Sequence, residues 1–322
     1  MPQDSIYYAM GRISVMSADA LNGQKLERLL QAQSALEARR VLSEIGWTDT
    51  GDVEKAASEH VQKACKAVRD LSVHEKTLDC FLMRYDVNNL KILFKARSLG
   101  VSTEALSPCG SIPMETLRHA VTEHNYHALP PALKNAAEEL EKQMAVRVDP
   151  LMIDVRLDQA LYAAIFEDLP KNDRIARAYF VAQVDLTNLL MALRARNIGK
   201  DAGFFGDMLI MGGTIEKRAW LKAYENPERL PLLVKGYGLK VFNAAIAAQL
   251  SKDKLPALER AMDDYLTALY LPYKRVMDKN ERLIGYLLMR QREAAAVKLI
   301  LAGKQGGFPQ EAIRERLREL YG

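Results

Sequence analysis

Fifteen residues, Asp86–Gly100, recur without a gap at Asp185–Gly199. DVNNLKILFKARSLG and DLTNLLMALRARNIG share an acid, an Asn three positions on, a following Leu, the pair Ala-Arg and a closing Gly. Asp86 and Asp185 stand 99 residues apart. A worn third copy begins at Glu293 as EAAAVKLILAGK, with Ala296 at the Asn position and a basic residue at Lys304. A repeat of roughly 100 residues is too long for one solenoid unit, which spans about 20 to 50. The spacing predicts three copies of a small helical domain, at residues 1–106, 107–208 and 209–322.

Within the first copy, Leu78, Phe81, Leu82, Tyr85, Asn89, Ile92, Leu93, Ala96 and Leu99 follow the 3-and-4 spacing of an amphipathic helix. Asn89 therefore falls on the buried stripe, where it needs hydrogen-bond partners. Asp86 lies one turn earlier, placed for an i, i+3 polar pair. Arg97 sits near the helix C-terminus, where the macrodipole favours a cation, and Gly100 suits a left-handed stop. Asp185, Asn188, Arg196 and Gly199 repeat the arrangement. The expected role of these residues, with Glu293 and Lys304, is to organise helix packing rather than to hold a ligand.

The rest of the chain reads as helical. Ser34 to Glu37 forms a capping box ahead of the apolar stripe Ala38, Val41, Leu42 and Ile45, with Gly46 as its stop. An amphipathic helix follows between Asp52 and Ser72. Gly110-Ser111-Ile112 and Gly213-Thr214-Ile215 each follow a motif helix, so the repeat extends beyond the motif. Helices are also expected from Pro131 to Val148, from Pro150 to Leu169, up to about Leu250, over 256–270 and over 280–302, with a short last one after Pro309. No stretch alternates convincingly with period two. The expected fold class is all-α.

Composition narrows the function classes. Hydrophobic residues make up 49% and charged residues 27%, the balance of a soluble globular chain. No apolar run approaches the ~18 residues that cross a membrane, and no secretory signal opens the sequence. Cys65, Cys80 and Cys109 are far apart and read as core thiols in a reducing cytoplasm. The net charge of +4 is too modest to imply nucleic acid. The basic residues are unevenly placed, with eleven Lys or Arg against six Asp or Glu from Tyr270 to Gly322. That bias suits either a solvated face or contact with an acidic partner or anionic lipid. Arg314, Arg316 and Arg318 are its candidate partner contacts.

Catalytic and cofactor patterns are missing. There is no phosphate loop, no G-x-G-x-x-G after a strand, no G-x-S-x-G and no H-E-x-x-H. His119, His124 and His127 cluster, but no acid or Cys completes a metal set, and His60 and His74 stand alone. Arg194 and Arg196, two apart, face different sides of a helix. No catalytic, cofactor-binding or metal-binding residue is expected. An enzyme built on the Asp–Asn pairs would need a polar pocket, whereas these pairs fall on apolar stripes.

Taken together, Tyr8–Arg12, Asp86-x-x-Asn89-Leu90, Asp185-x-x-Asn188-Leu189 and Arg292-Glu293 with Val297 and Gly303-Lys304 resemble the C subunit of the V-type (A/V-type) ATPases and ATP synthases. The eukaryotic counterpart is the d subunit. The likeness spans essentially the whole chain, and Ala296 departs from it. It implies three similar helical subdomains around a pseudo-threefold axis, shaped like a funnel. It also implies a non-catalytic rotor adaptor on the cytoplasmic face of the membrane. Such an adaptor links the central stalk to the membrane proteolipid ring and transmits torque for proton or sodium transport, without a cofactor. The alternative reading is a free-standing helical scaffold that binds a peptide or protein in a central cavity.

Overall fold

A computed structural model describes residues 5–48, 50–72, 75–103, 105–248, 255–318 and 320. His74 and Leu250 lie outside the described residues. Every regular element among the described residues is helical. In chain order the α-helices are α1 (Ile6–Ser17), α2 (Gly23–Gln31), α3 (Ala35–Glu44), α4 (Val53–Leu71), α5 (Glu75–Leu99), α6 (Met114–Thr122), α7 (Pro131–Val146) and α8 (Pro150–Asp168). Then come α9 (Arg174–Asn197), α10 (Ala202–Met208), α11 (Lys217–Glu225), α12 (Leu230–Leu233), α13 (Ala244–Ala248), α14 (Leu255–Ala268), α15 (Glu281–Gln305) and α16 (Gln310–Arg316).

Local chemistry sets many of these ends. Ser34 Oγ accepts the Glu37 N–H at 3.1 Å, and the Glu37 carboxylate turns back to the Gln33 N–H at 2.7 Å, so α3 starts where the capping signal lies. Gly46 stops it with φ +93°. Asp52 caps α4 through the Glu54 N–H at 2.8 Å. Asp149 caps α8 at 3.0 Å through the Leu151 N–H, and Pro150 takes the first helical position. Gly100 and Gly199 close α5 and α9 with φ +65° and +69°.

The helices gather into two compact units. One comprises residues 1–75 with 253–322, and the other comprises residues 76–252. The first unit is built on α15, which packs against α4, α3 and α1. Its core joins Leu29, Leu30, Leu42 and Ala57 to Val297, Ile300, Leu301 and Ile313. The first and last stretches of the chain thus share a core, because α15 needs α2–α4 to cover its apolar surface. The second unit carries the α7–α8 hairpin and the long helices α5 and α9. There Phe81 meets Phe180 and Tyr179 with ring centroids 4.6 and 5.0 Å apart.

The three motif helices are α5, α9 and α15, and they are wrapped more completely than a single stripe requires. Leu78, Phe81, Leu82, Asn89, Leu93 and Ala96 are buried, and so are Cys80, Met83, Val87, Leu90 and Phe94 off the expected stripe. Leu99, assigned to that stripe, is 75% exposed at the C-terminal end of α5. Leu90→Ala should therefore cost about 2–5 kcal/mol. Leu99→Ala should stay within about 0.5 kcal/mol of wild type. Chemical denaturation of the two variants separates these outcomes, and equal losses would contradict the burial assigned here.

Candidate functional site

The acids of the motif do not point at a cleft. Asp86, fully buried on α5, accepts the Ser111 N–H on Oδ2 at 2.8 Å and the Ile112 N–H on Oδ1 at 3.0 Å. Ile112 stands two residues before α6 begins. Farther along α5, Arg97 donates to the Val121 carbonyl in the last turn of α6 at 2.6 Å and pairs with Glu141 at 2.7 Å. The short helix α6 is thus held at both ends by one long helix. The anion holds the two residues ahead of its N-cap, Pro113, and the cation meets its C-terminus, where the macrodipole favours it. The Arg caps a neighbouring helix rather than its own.

The second copy repeats this arrangement. Asp185, fully buried on α9, accepts the Thr214 N–H at 2.9 Å, the Thr214 hydroxyl at 2.6 Å and the Ile215 N–H at 3.4 Å. The Tyr237 hydroxyl donates to it as well, at 2.5 Å. Arg196 donates to the Tyr224 carbonyl in the last turn of α11. In the third copy Glu293, fully buried on α15, accepts the Leu21 N–H at 2.8 Å. Lys304 donates to the Leu30 carbonyl at 2.8 Å and to the Ala32 carbonyl, at the end of α2. The intervals Ile112 to Val121, Ile215 to Tyr224 and Leu21 to Leu30 are each nine residues, and α6, α11 and α2 are each nine residues long. The third clamp therefore closes on the N-terminal segment of the chain.

The Asn positions follow the same register. Asn89 gives and takes hydrogen bonds with the Ser107 backbone, both at 2.8 Å. Asn188 does the same with the Ile210 backbone at 2.8 and 2.9 Å. Ser107 and Ile210 stand five residues before Ile112 and Ile215, and Met16 stands five before Leu21. With Ala296 in place of Asn, it is Arg290, one turn before Glu293, that donates to the Met16 carbonyl. Arg290 also meets Glu293 at 2.8 Å, as does His60 Nε2, and Trp47 stacks on the His60 ring at 3.8 Å. Arg290, His60 and Tyr237 were not singled out from the sequence. The acid three residues after Arg290 was the only available signal for it; His60 and Tyr237 offered none.

Electrostatics follow from this wiring. Burial works to raise the Glu293 carboxyl, but the hydrogen bond from His60, the Arg290 charge and the Leu21 N–H hold it below the ordinary carboxylate value. Glu141 is also held low, burial being outweighed by the Tyr126 hydroxyl and Arg97. Burial pushes the Lys304 ammonium down. It pushes the Cys80 thiol up to about 12, far from a reactive thiolate. Each motif carboxylate is engaged by backbone N–H groups, joined by hydroxyls at Asp185 and by Arg290 and His60 at Glu293.

The remaining candidates are dispersed. His124 Nδ1 lies 3.0 Å from Glu141, and His127 lies beside Lys134 Nζ at 3.1 Å. No group of three or more His, Cys, Asp or Glu is placed to hold a metal ion among the described residues. Arg314 pairs with Glu27 at 2.8 Å, and Arg318 pairs with Asp263 at 3.0 Å and Glu259 at 3.7 Å. Arg316 is exposed and lies over the Phe308 ring at 5.9 Å. No helix among the described residues is long and apolar enough to cross a membrane.

Two sets of variants probe the clamps. A Cβ on Gly110 or Gly213 would fall 1.9 or 2.0 Å from Oδ1 of Asp86 or Asp185. Gly110→Ala and Gly213→Ala should each cost about 1–3 kcal/mol, as should Asn89→Leu and Asn188→Leu, since each leaves buried polar groups unpaired. Melts that match wild type would refute the clamp. Glu293→Gln should cost about 3 kcal/mol at neutral pH, because it leaves Arg290 without its buried counter-charge. A depressed folded-state pKa stabilises above the unfolded value of 4.5 and ceases to do so as pH falls through the folded value. The stability gap between wild type and this variant should therefore close as the pH falls below 4.5 and through the lower folded-state value.

Comparison with known proteins places the chain in a family. The model of the ATP synthase (C/AC39) subunit family matches residues 9–316. The C subunit of the V-type sodium ATPase of Enterococcus hirae is 24% identical over 278 residues, which covers 84% of this chain and 83% of that protein. The C subunit of the A-type ATP synthase of Methanothermobacter thermautotrophicus is 23% identical over 338 residues, covering 96% and 87%. Its counterpart in the A-type ATP synthase of a Desulfurococcus species is 23% identical and covers 97% and 90%. The chain belongs to the ATP synthase (C/AC39) subunit family.

Proposed function

We propose that this chain is the non-catalytic rotor adaptor of a V-type or A-type ATPase. In this reading it joins the central stalk to the membrane proteolipid ring and passes torque between them for proton or sodium transport. It sits on the cytoplasmic face and is held to the membrane through protein contacts. Family membership supports the setting. The observation that carries the mechanical part is the thrice-repeated clamp, in which a buried acid and a base fix a short helix at both ends. A part that transmits torque must not yield, and helices tied at both ends resist sliding along their neighbours.

A joint that does not slip needs a broad contact, typically at least ~1,200 Å² in total. Charges at its rim set the association rate and the salt sensitivity. Of the three arginines proposed for that contact, Arg314 and Arg318 are already paired within the chain, so reversing them would also disturb the fold. Arg316, exposed beside Phe308, is the informative position. Arg316→Glu should leave the melting temperature unchanged while lowering assembly of the motor at low salt. Capture of the native protein from its host should bring down stalk and ring proteins together. Removal of the chain should leave ATP hydrolysis by the detached head but abolish its coupling to ion movement. If capture never recovers stalk or ring proteins, the adaptor reading fails and the free scaffold replaces it.

A further inference from the structure

Five of the eleven basic residues after Tyr270 are neutralised inside the first unit. Arg290, Arg292, Lys298, Arg314 and Arg318 face acidic partners, and Lys304 is spent on carbonyls. Lys274 and Arg275 differ. Both are exposed, and neither side chain has a hydrogen-bond or ion-pair partner among the described residues. They line a cavity of about 270 Å³ together with the buried Arg282. Arg282 is fixed there by the Ser14 hydroxyl at 2.7 Å and the Val276 carbonyl at 3.4 Å. No acidic residue among the described residues lines the cavity. The rest of the wall is largely apolar, with Ile13, Tyr286 and Met289.

We propose that this cavity binds a phosphate-bearing group, with Lys274 and Arg275 as its mobile ligands and Arg282 as a fixed positive charge. A planar guanidinium matches two phosphate oxygens at once, and an ammonium adds a point charge. The apolar wall suits the carbon portion of a phosphate ester, so a glycerol phosphate fits better than a bare anion. The inference is independent of the adaptor reading, because it concerns the isolated chain.

The test compares wild type, the double variant Lys274→Gln with Arg275→Gln, and a control, Lys66→Gln with Lys298→Gln, that removes the same charge elsewhere. Glycerol 3-phosphate is titrated by calorimetry. Co-sedimentation is run with phosphatidylglycerol and with phosphatidylcholine vesicles at low salt and at about 0.5 M salt. Melting curves should be alike, since all four replaced side chains are solvent-accessible. The expected result is that wild type and control bind glycerol 3-phosphate while the double variant binds roughly tenfold or more weakly. Parallel loss of binding to phosphatidylglycerol vesicles identifies the source as a lipid headgroup. Binding of glycerol 3-phosphate without vesicle binding identifies a soluble phosphate ester. Absence of glycerol 3-phosphate binding by wild type, or equal weakening in the control, overturns the proposal.

Discussion

A buried carboxylate that accepts backbone N–H groups at the start of a short helix is the interaction on which the two units depend. Taking an ionised side chain out of water is costly, and the cost is met here only by donors in fixed positions. Asp86 finds them at Ser111 and Ile112, and Asp185 finds them at Thr214 and Ile215. Both sites require a glycine, Gly110 or Gly213, because any Cβ there would overlap the carboxylate. The basic residue farther along the same long helix closes the other end of the short one. Acid, base and nine-residue helix therefore form one mechanical unit, and mis-registering any one of them leaves a charge unpaired.

The third clamp reaches the same end with different residues. Glu293 carries an extra methylene, and the register of Gly110 and Gly213 is taken by Asp19. The missing Asn is replaced in effect by Arg290, which bonds to the Met16 carbonyl and to Glu293. His60, stacked on Trp47, adds a hydrogen bond to Glu293. The first two clamps close on the segment that follows each motif helix. The third closes on a segment 272 residues earlier, so the last motif helix and the N-terminal segment make a copy that neither holds alone.

Much of this was legible in the sequence. Period 3.6 with Asn89 and Asn188 on the stripe placed the motif helices, and the start signals at Ser34, Asp52 and Pro150 placed their neighbours. The family likeness rested on the same residues. What the stripe hid was that α5, α9 and α15 are buried on most faces, since a central helix loses its amphipathic signal. The partners of the acids were hidden too. Backbone N–H groups carry no residue identity, so only the Gly-Ser-Ile and Gly-Thr-Ile triplets hinted at them. The third triplet, Asp19-Ala20-Leu21, shares almost nothing with the other two, and its match is visible only in the hydrogen bonds.

The central claim is that the N-terminal segment is an integral third copy rather than an appendage. Native-state hydrogen exchange of the Leu21 amide, compared with the Ser111 and Thr214 amides in the same sample, tests it most directly. If Glu293 holds Leu21 as Asp86 holds Ser111 and Asp185 holds Thr214, all three exchange only through large-scale unfolding, at similar free energies. Leu21 exchanging at the rate of an exposed loop amide, while Ser111 and Thr214 stay protected, would contradict it.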